Sequence, residues 1–168
     1  TCVPPLRDPI DKLVLWQGVE EGDIAVIGTD HCPFFGKQKD KHAKNFTKIP
    51  LGMPGVETLM PLTYTYGVRR GHISVNQMVQ VLSANPAMVF GMYPQKGILQ
   101  PGSDADIVIF NPEKKVTLRA KKHNMNTDYS PYEGLKLVGY PEMTLLRGKI
   151  VVNKGKYVGD KGDGKYVR

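Results

Sequence analysis

The run Ile24-Ala25-Val26-Ile27-Gly28 carries no polar side chain, yet Thr29, Asp30, His31 and Cys32 follow it at once. A short stretch that is apolar on both faces suits a strand covered from two sides, as in a parallel sheet. The run therefore predicts a buried strand with polar residues collected just past its carboxyl end, where barrels and open α/β sheets alike place their chemistry.

The segments around the run follow α/β grammar. Ile10, Leu13, Trp16 and Val19 recur about every three residues and define one apolar helical face, and Gly22 supplies the stop. The segments 55–71 and 74–91 read as further helices, the second with Ser74 as its cap and Val75, Met78, Val79 and Leu82 on one face. Beyond Pro94 the rhythm changes to short strands between turns. A Pro-Gly turn precedes Ile107–Phe110, an Asn-Pro turn leads to a second strand at Val116–Leu118, and a hairpin is expected around Gly148 with a further turn at Asn153-Lys154-Gly155. Residues 1–95 and 96–168 thus read as two portions, with the Gly-rich end after Val158 expected to be loose.

Lys and Arg exceed Asp and Glu, giving a formal net charge of +7. The basic residues are scattered and lack the interleaved aromatics of a base-stacking platform, so nucleic acid is not the expected partner. No apolar run nears the roughly 20 residues of a membrane span, and the N-terminus has no signal-peptide pattern. Cys2 and Cys32 form no CxxC pair, which fits a reducing compartment and a cytoplasmic location.

Asp30 is the leading candidate site residue, and its residue type leaves two readings open: a functional carboxylate, or the cap of an Asx turn. Asp and His are both good zinc ligands. Adjacent residues do not easily reach one ion, however, and the chain has neither HxH nor HExxH. His42, His72 and His123 lack ligand spacing and are expected at the surface. Local pattern supports one ligand, not a set. The stretch PPLRDP at 4–9 reads as a stiffened entry to the first helix. IPLGMPGVE at 49–57 is a turn whose glycines let main chain approach a ligand.

Taken in order, TCVPPLRDP, GTDHCPF, NFTKIPLGMPGVE, NPAMVFGMYPQKGILQPGSDADIVIFNP, DYSPYEG and LLRGKIVVNKGKYVG closely resemble the C-terminal part of dihydropyrimidinases and D-hydantoinases, cyclic amidohydrolases of the amidohydrolase superfamily. The resemblance spans essentially the whole chain. It implies an α/β fold in which residues 1–95 supply the last strand and closing helices of a metal-dependent (β/α)8 barrel. Residues 96–168 would then supply C-terminal strands of a small β-sandwich.

It further implies hydrolytic ring opening of dihydropyrimidines or 5-substituted hydantoins to N-carbamoyl amino acids by a binuclear zinc centre. In that chemistry Asp30 matches the family's metal-binding, proton-transferring aspartate, with His31 supporting it. Val3 and Leu51 match positions whose main chain contacts the cyclic ureide, although the family usually has Ser and Asn there. The HxH pair, a carboxylated lysine and two further histidines would lie upstream, so the chain is expected to be an inactive segment of a longer, homotetrameric enzyme. A non-catalytic relative and a sister enzyme such as allantoinase or dihydroorotase are the rival readings. Asp30 weighs against the first, because such relatives replace it, and DHCPF with DYSPYEG weighs against the second.

Overall fold

The computed structural model describes residues 1–167; Arg168, the last residue of the Gly-rich end, lies outside them. The chain is α/β: helices occupy its first half and one antiparallel sheet its second.

Helix α1 spans Asp11–Glu21 and stops where Gly22 turns left-handed, at φ 88°, a conformation that glycine adopts without steric cost. Its expected apolar face is only partly used. Val19 is buried and Trp16 packs against the core, but Ile10 and Leu13 stay 57% and 56% exposed.

The strand expected at 24–28 is not formed. A parallel strand exists only through its ladder, and among the described residues this run has no strand beside it. Its amides turn to the helices instead: Ile24 N–H donates to Gly18 O at 2.9 Å and Ile27 N–H to Val81 O at 3.1 Å. Ile24 and Ile27 still pack on the core formed by Val19, Tyr64, Ile73, Met78 and Val81.

Short helix α2 (Gly36–Asp40) follows the polar loop. Helix α3 (Leu59–Thr63) runs into a π-turn at Tyr64–Val68. Gly67 lies there because a side chain would come within 2.7 Å of the Trp16 ring. Helix α4 (Val75–Val79) opens with the expected Ser74 cap, whose hydroxyl accepts from Gln77 N–H while Gln77 returns a bond to Ser74 N–H. A π-turn at Gln80–Ala84 joins it to α5 (Asn85–Val89), with Asn85 N–H reaching back to Gln80 O. Pro86 explains the widening, since proline has no N–H and its ring crowds the carbonyl four residues before it.

Strands β1 (Ile107–Thr117), β2 (Lys136–Leu146), β3 (Lys149–Asn153) and β4 (Lys156–Tyr157) pair antiparallel in the order β1-β2-β3-β4. The expected Asn-Pro turn is instead a bulge inside β1: pairing skips between Asn111 and Lys115, which accommodates Pro112 and merges the two expected strands. The turns expected around Gly148 and at Asn153-Lys154-Gly155 are both present. Arg147-Gly148 (φ 47° and 82°) and Lys154-Gly155 (φ 50° and 77°) have the double positive φ that suits tight hairpins.

The sheet packs on the helices through Tyr64, whose ring meets Phe110 edge-on at 4.8 Å. Gly139, at φ 95°, makes room for it, since a Cβ there would lie 2.2 Å from Tyr64. Beside it Thr65 Oγ1 donates to Val138 O at 3.0 Å.

The C-terminal end is tied down rather than loose. Lys149 Nζ reaches Asp160 at 2.6 Å and Asp163 at 2.8 Å, and the Arg147 guanidinium donates to Asp163 O. Among the described residues no helix is long and apolar enough to cross a membrane.

Candidate active site

Asp30 sits at the head of the polar loop with φ 43°, a left-handed backbone that aspartate tolerates better than most residues. Its side chain is exposed. Immediately after it the chain is stitched to the glycine-rich loop: His31 and Met53 form a parallel bridge, and Cys32 N–H donates to Met53 O at 3.1 Å. His31 Nδ1 accepts from Gly55 N–H at 3.0 Å and from Val56 N–H at 3.4 Å, so this imidazole spends one nitrogen on holding the neighbouring loop.

The glycine-rich loop is in turn tied to the N-terminal segment. Gly52 N–H donates to Thr1 O at 3.1 Å. The segments carrying Val3, Asp30 and Leu51 are therefore joined by main-chain hydrogen bonds, although they are far apart in sequence. Among the described residues neither Val3 nor Leu51 engages its own N–H or C=O with protein.

Four residues outside the expected set hold this arrangement. The Lys39 ammonium donates to Pro50 O at 2.7 Å, Gly52 O at 2.8 Å and Thr1 O at 3.5 Å, and lies 5.5 Å from the Phe34 ring centre. Thr127 Oγ1 donates to Phe34 O at 2.9 Å, and Asp128 accepts from Gly36 N–H at 2.8 Å, so the DYSPYEG region braces the loop that follows Asp30. Glu57 caps the chain on that side, accepting from Asn124 N–H at 2.7 Å and Met125 N–H at 3.0 Å. These partners are main-chain groups, which leave no residue pattern to read. Burial pushes the Tyr129 phenol above its ordinary value, reinforced by the charge of Asp128, so it stays protonated at neutral pH.

Of the histidines expected at the surface, His72 is half-buried and His123 has a buried side chain. His72 stacks on Trp16 with ring centres 5.5 Å apart. The His123 side chain is only 3% exposed, its Nδ1 lies 3.9 Å from Glu57, and its Nε2 is buried without a hydrogen-bond partner among the described residues. Aromatic stacking and a carboxylate neighbour draw both rings inward.

No group of three or more His, Cys, Asp or Glu among the described residues is placed to hold a metal ion. The described residues therefore form no complete metal centre around Asp30. What the site does offer is an exposed carboxylate, Asp30, on a segment hydrogen-bonded to the one that carries Leu51.

The amidohydrolase family model matches residues 11–151. The chain is 44% identical to the D-hydantoinase of Streptomyces coelicolor, over 99% of this chain and 36% of that protein. It is 43% identical to the D-hydantoinase of Ralstonia pickettii, over 98% of this chain and 36% of the relative. The crystal structure of dihydropyrimidinase from Brevibacillus agri superposes with a TM-score of 0.97 at 43% identity, over 99% of this chain and 36% of that one. The L-hydantoinase from Arthrobacter aurescens gives 0.91 at 35% identity, over 98% and 37%. The chain thus spans 36% of the length of the curated relatives named here.

Proposed function

Because this chain belongs to the amidohydrolase family, we propose that it is the C-terminal segment of a hydrolase that opens cyclic amides, converting dihydropyrimidines or 5-substituted hydantoins to N-carbamoyl amino acids. The observation that carries this reading is that main-chain hydrogen bonds tie together the segments bearing Val3, Asp30 and Leu51, while among the described residues Val3 and Leu51 keep their own N–H and C=O unused. Similarity to D-hydantoinases and to a dihydropyrimidinase over nearly the whole chain supports it.

In this reading residues 1–95 close a (β/α)8 barrel and residues 96–168 belong to a β-sandwich. Val3 and Leu51 hold the ureide through main chain, so their side chains bear on fit rather than on capacity to bind. Asp30 takes the proton of the attacking water and returns it to the leaving nitrogen, a role suited to a carboxylate at a water-accessible position. His31 keeps the adjoining loop in register with it. The enzyme is metal-dependent, and Asp30 would be one of the ligands of its binuclear zinc centre, which would polarise the ring amide, with the carboxylated lysine and remaining ligands upstream. The complete protein is a cytoplasmic homotetramer, and the segment by itself is inactive.

The test uses the full-length protein. Hydrolysis of dihydrouracil, a 5-substituted hydantoin, allantoin and dihydroorotate is compared, with Asp30→Asn as the control. Ring opening of the first two, lost by about 10²–10⁴-fold in the variant, is expected. Preference for allantoin or dihydroorotate assigns a sister enzyme, and a folded protein that opens none of the four is a non-catalytic relative.

A further inference from the structure

Both segments assigned to the ureide, around Val3 and around Leu51, meet at one side chain that the proposed chemistry does not use. Lys39 stands near the end of α2 and is half-buried. Its ammonium has three hydrogens and no acceptor capacity, and they are directed at Pro50 O, Gly52 O and, more distantly, Thr1 O. Pro50 and Gly52 flank Leu51, and Thr1 lies two residues before Val3.

The Pro50 carbonyl shares a peptide unit with the Leu51 N–H and the Gly52 carbonyl lies in the unit after the Leu51 C=O, so Lys39 brackets Leu51 without using its own N–H or C=O. The same cation reaches Thr1 O, which also accepts from Gly52 N–H at 3.1 Å. A charge-assisted bond to a carbonyl is roughly twice as strong as a neutral one, and the Phe34 ring 5.5 Å away favours the cation from the other side. No neighbouring carboxylate competes: among the described residues Lys39 forms no ion pair. A surface lysine would ordinarily stay hydrated, so its commitment to main-chain acceptors identifies it as a built junction.

We propose that Lys39 is a positioning residue for substrate: it sets the spacing between the N-terminal and glycine-rich segments and thereby the main-chain rim that holds the ring. The inference rests on the cyclic-amide reading above. Lys39 touches neither substrate nor reacting atoms. Its loss therefore weakens ground state and transition state alike.

The experiment compares full-length wild type with Lys39→Met and Lys39→Gln, measuring kcat and KM for dihydrouracil and a 5-substituted hydantoin together with thermal midpoints. K39M is expected to raise KM roughly tenfold while kcat stays within about threefold. K39Q keeps an N–H donor at shorter reach and is expected to fall between. If K39M does not fold, the K39Q value alone decides. A KM within twofold of wild type in a folded variant, or a kcat loss with KM unchanged, overturns the role of Lys39 and leaves the cyclic-amide reading standing. A wild type that opens no cyclic amide fails at the earlier step and removes both.

Discussion

Gly52 shows how tightly single residues are specified where the two loops meet. Its φ of 110° lies in a region that side chains rarely enter. A Cβ there would come within 2.4 Å of Cys32 Sγ and 2.6 Å of Cys32 Cβ. Gly52→Ala in the full-length protein is therefore expected to cost about 1–3 kcal/mol from overpacking, read as a lowered thermal midpoint. Adding Cys32→Ala should recover only part of it, because the contact between the two Cβ atoms survives. Full recovery would show that the sulfur alone sets the constraint; no loss in Gly52→Ala would remove the steric argument. Residues of this kind divide sharply in how legible they are. Asp30 could be picked out because a charged residue directly after an apolar run is conspicuous. Lys39 could not, because its acceptors are carbonyls that every residue carries, and the spacing that brings them together exists only after folding. Val3 and Leu51 became candidates through family resemblance, since nothing in their side chains suggests a polar contact.

Among the elements, those encoded by local rules were readable and those that depend on distant partners were not. The Gly22 stop, the Ser74 capping box and the hairpin turns at Arg147-Gly148 and Lys154-Gly155 are each set within a few residues. The run at 24–28 has the composition of a strand but lacks a ladder among the described residues, and Pro112 was absorbed by a bulge that only β2 defines. The C-terminal end illustrates the same dependence. Its Gly-rich composition suggests a loose tail, yet Lys149, on β3, holds Asp160 and Asp163. The hydrogen bonds to Asp160 and Asp163 push Lys149 up to about 12. Asp163 is held below its ordinary value first by Lys149 and then by the Asp160 N–H. A lowered carboxyl contributes stability above its unfolded value and loses it as pH falls through the folded one. A raised ammonium contributes fully below the ordinary lysine value and loses it as pH rises through about 12. The clasp should thus be complete from roughly pH 5 to pH 10 and weaken on either side. Hydrogen exchange at the Asp160 and Asp163 amides, corrected for intrinsic rates, should show protection at pH 7 that falls at pH 3 and is absent at pH 7 in Lys149→Met. Equal protection in wild type and variant would mean that other contacts hold the tail.

At the scale of the whole molecule, surface area is the quantity that disagrees with a self-contained domain. A compact 18.7 kDa monomer exposes about 8,300 Å² by the usual scaling of surface with mass, whereas this chain exposes 11451 Å². The excess, on the order of 3,000 Å², falls within the range of obligate interfaces. Part of it is apolar. Leu13, Val14 and Leu15 on α1 are each more than half exposed, and a groove of about 1010 Å³ runs beneath that helix, lined by Leu13, Trp16, Ile24, Val26, Leu62 and Leu135 among others. Apolar surface gathered in one place marks an interaction site more often than a free face. If the upstream part of the proposed barrel covers it, the 168-residue chain produced alone should bind 1-anilinonaphthalene-8-sulfonate and self-associate in sedimentation, and Leu13→Lys should reduce both. Co-production with the upstream two-thirds of the full-length protein should suppress dye binding and yield a complex of defined mass. A monomeric chain that binds no dye would mean that the helices close over the groove in solution, and that the segment is a domain in its own right. Dye binding that persists in the complex would instead place the upstream part on a different face and remove the barrel arrangement proposed here.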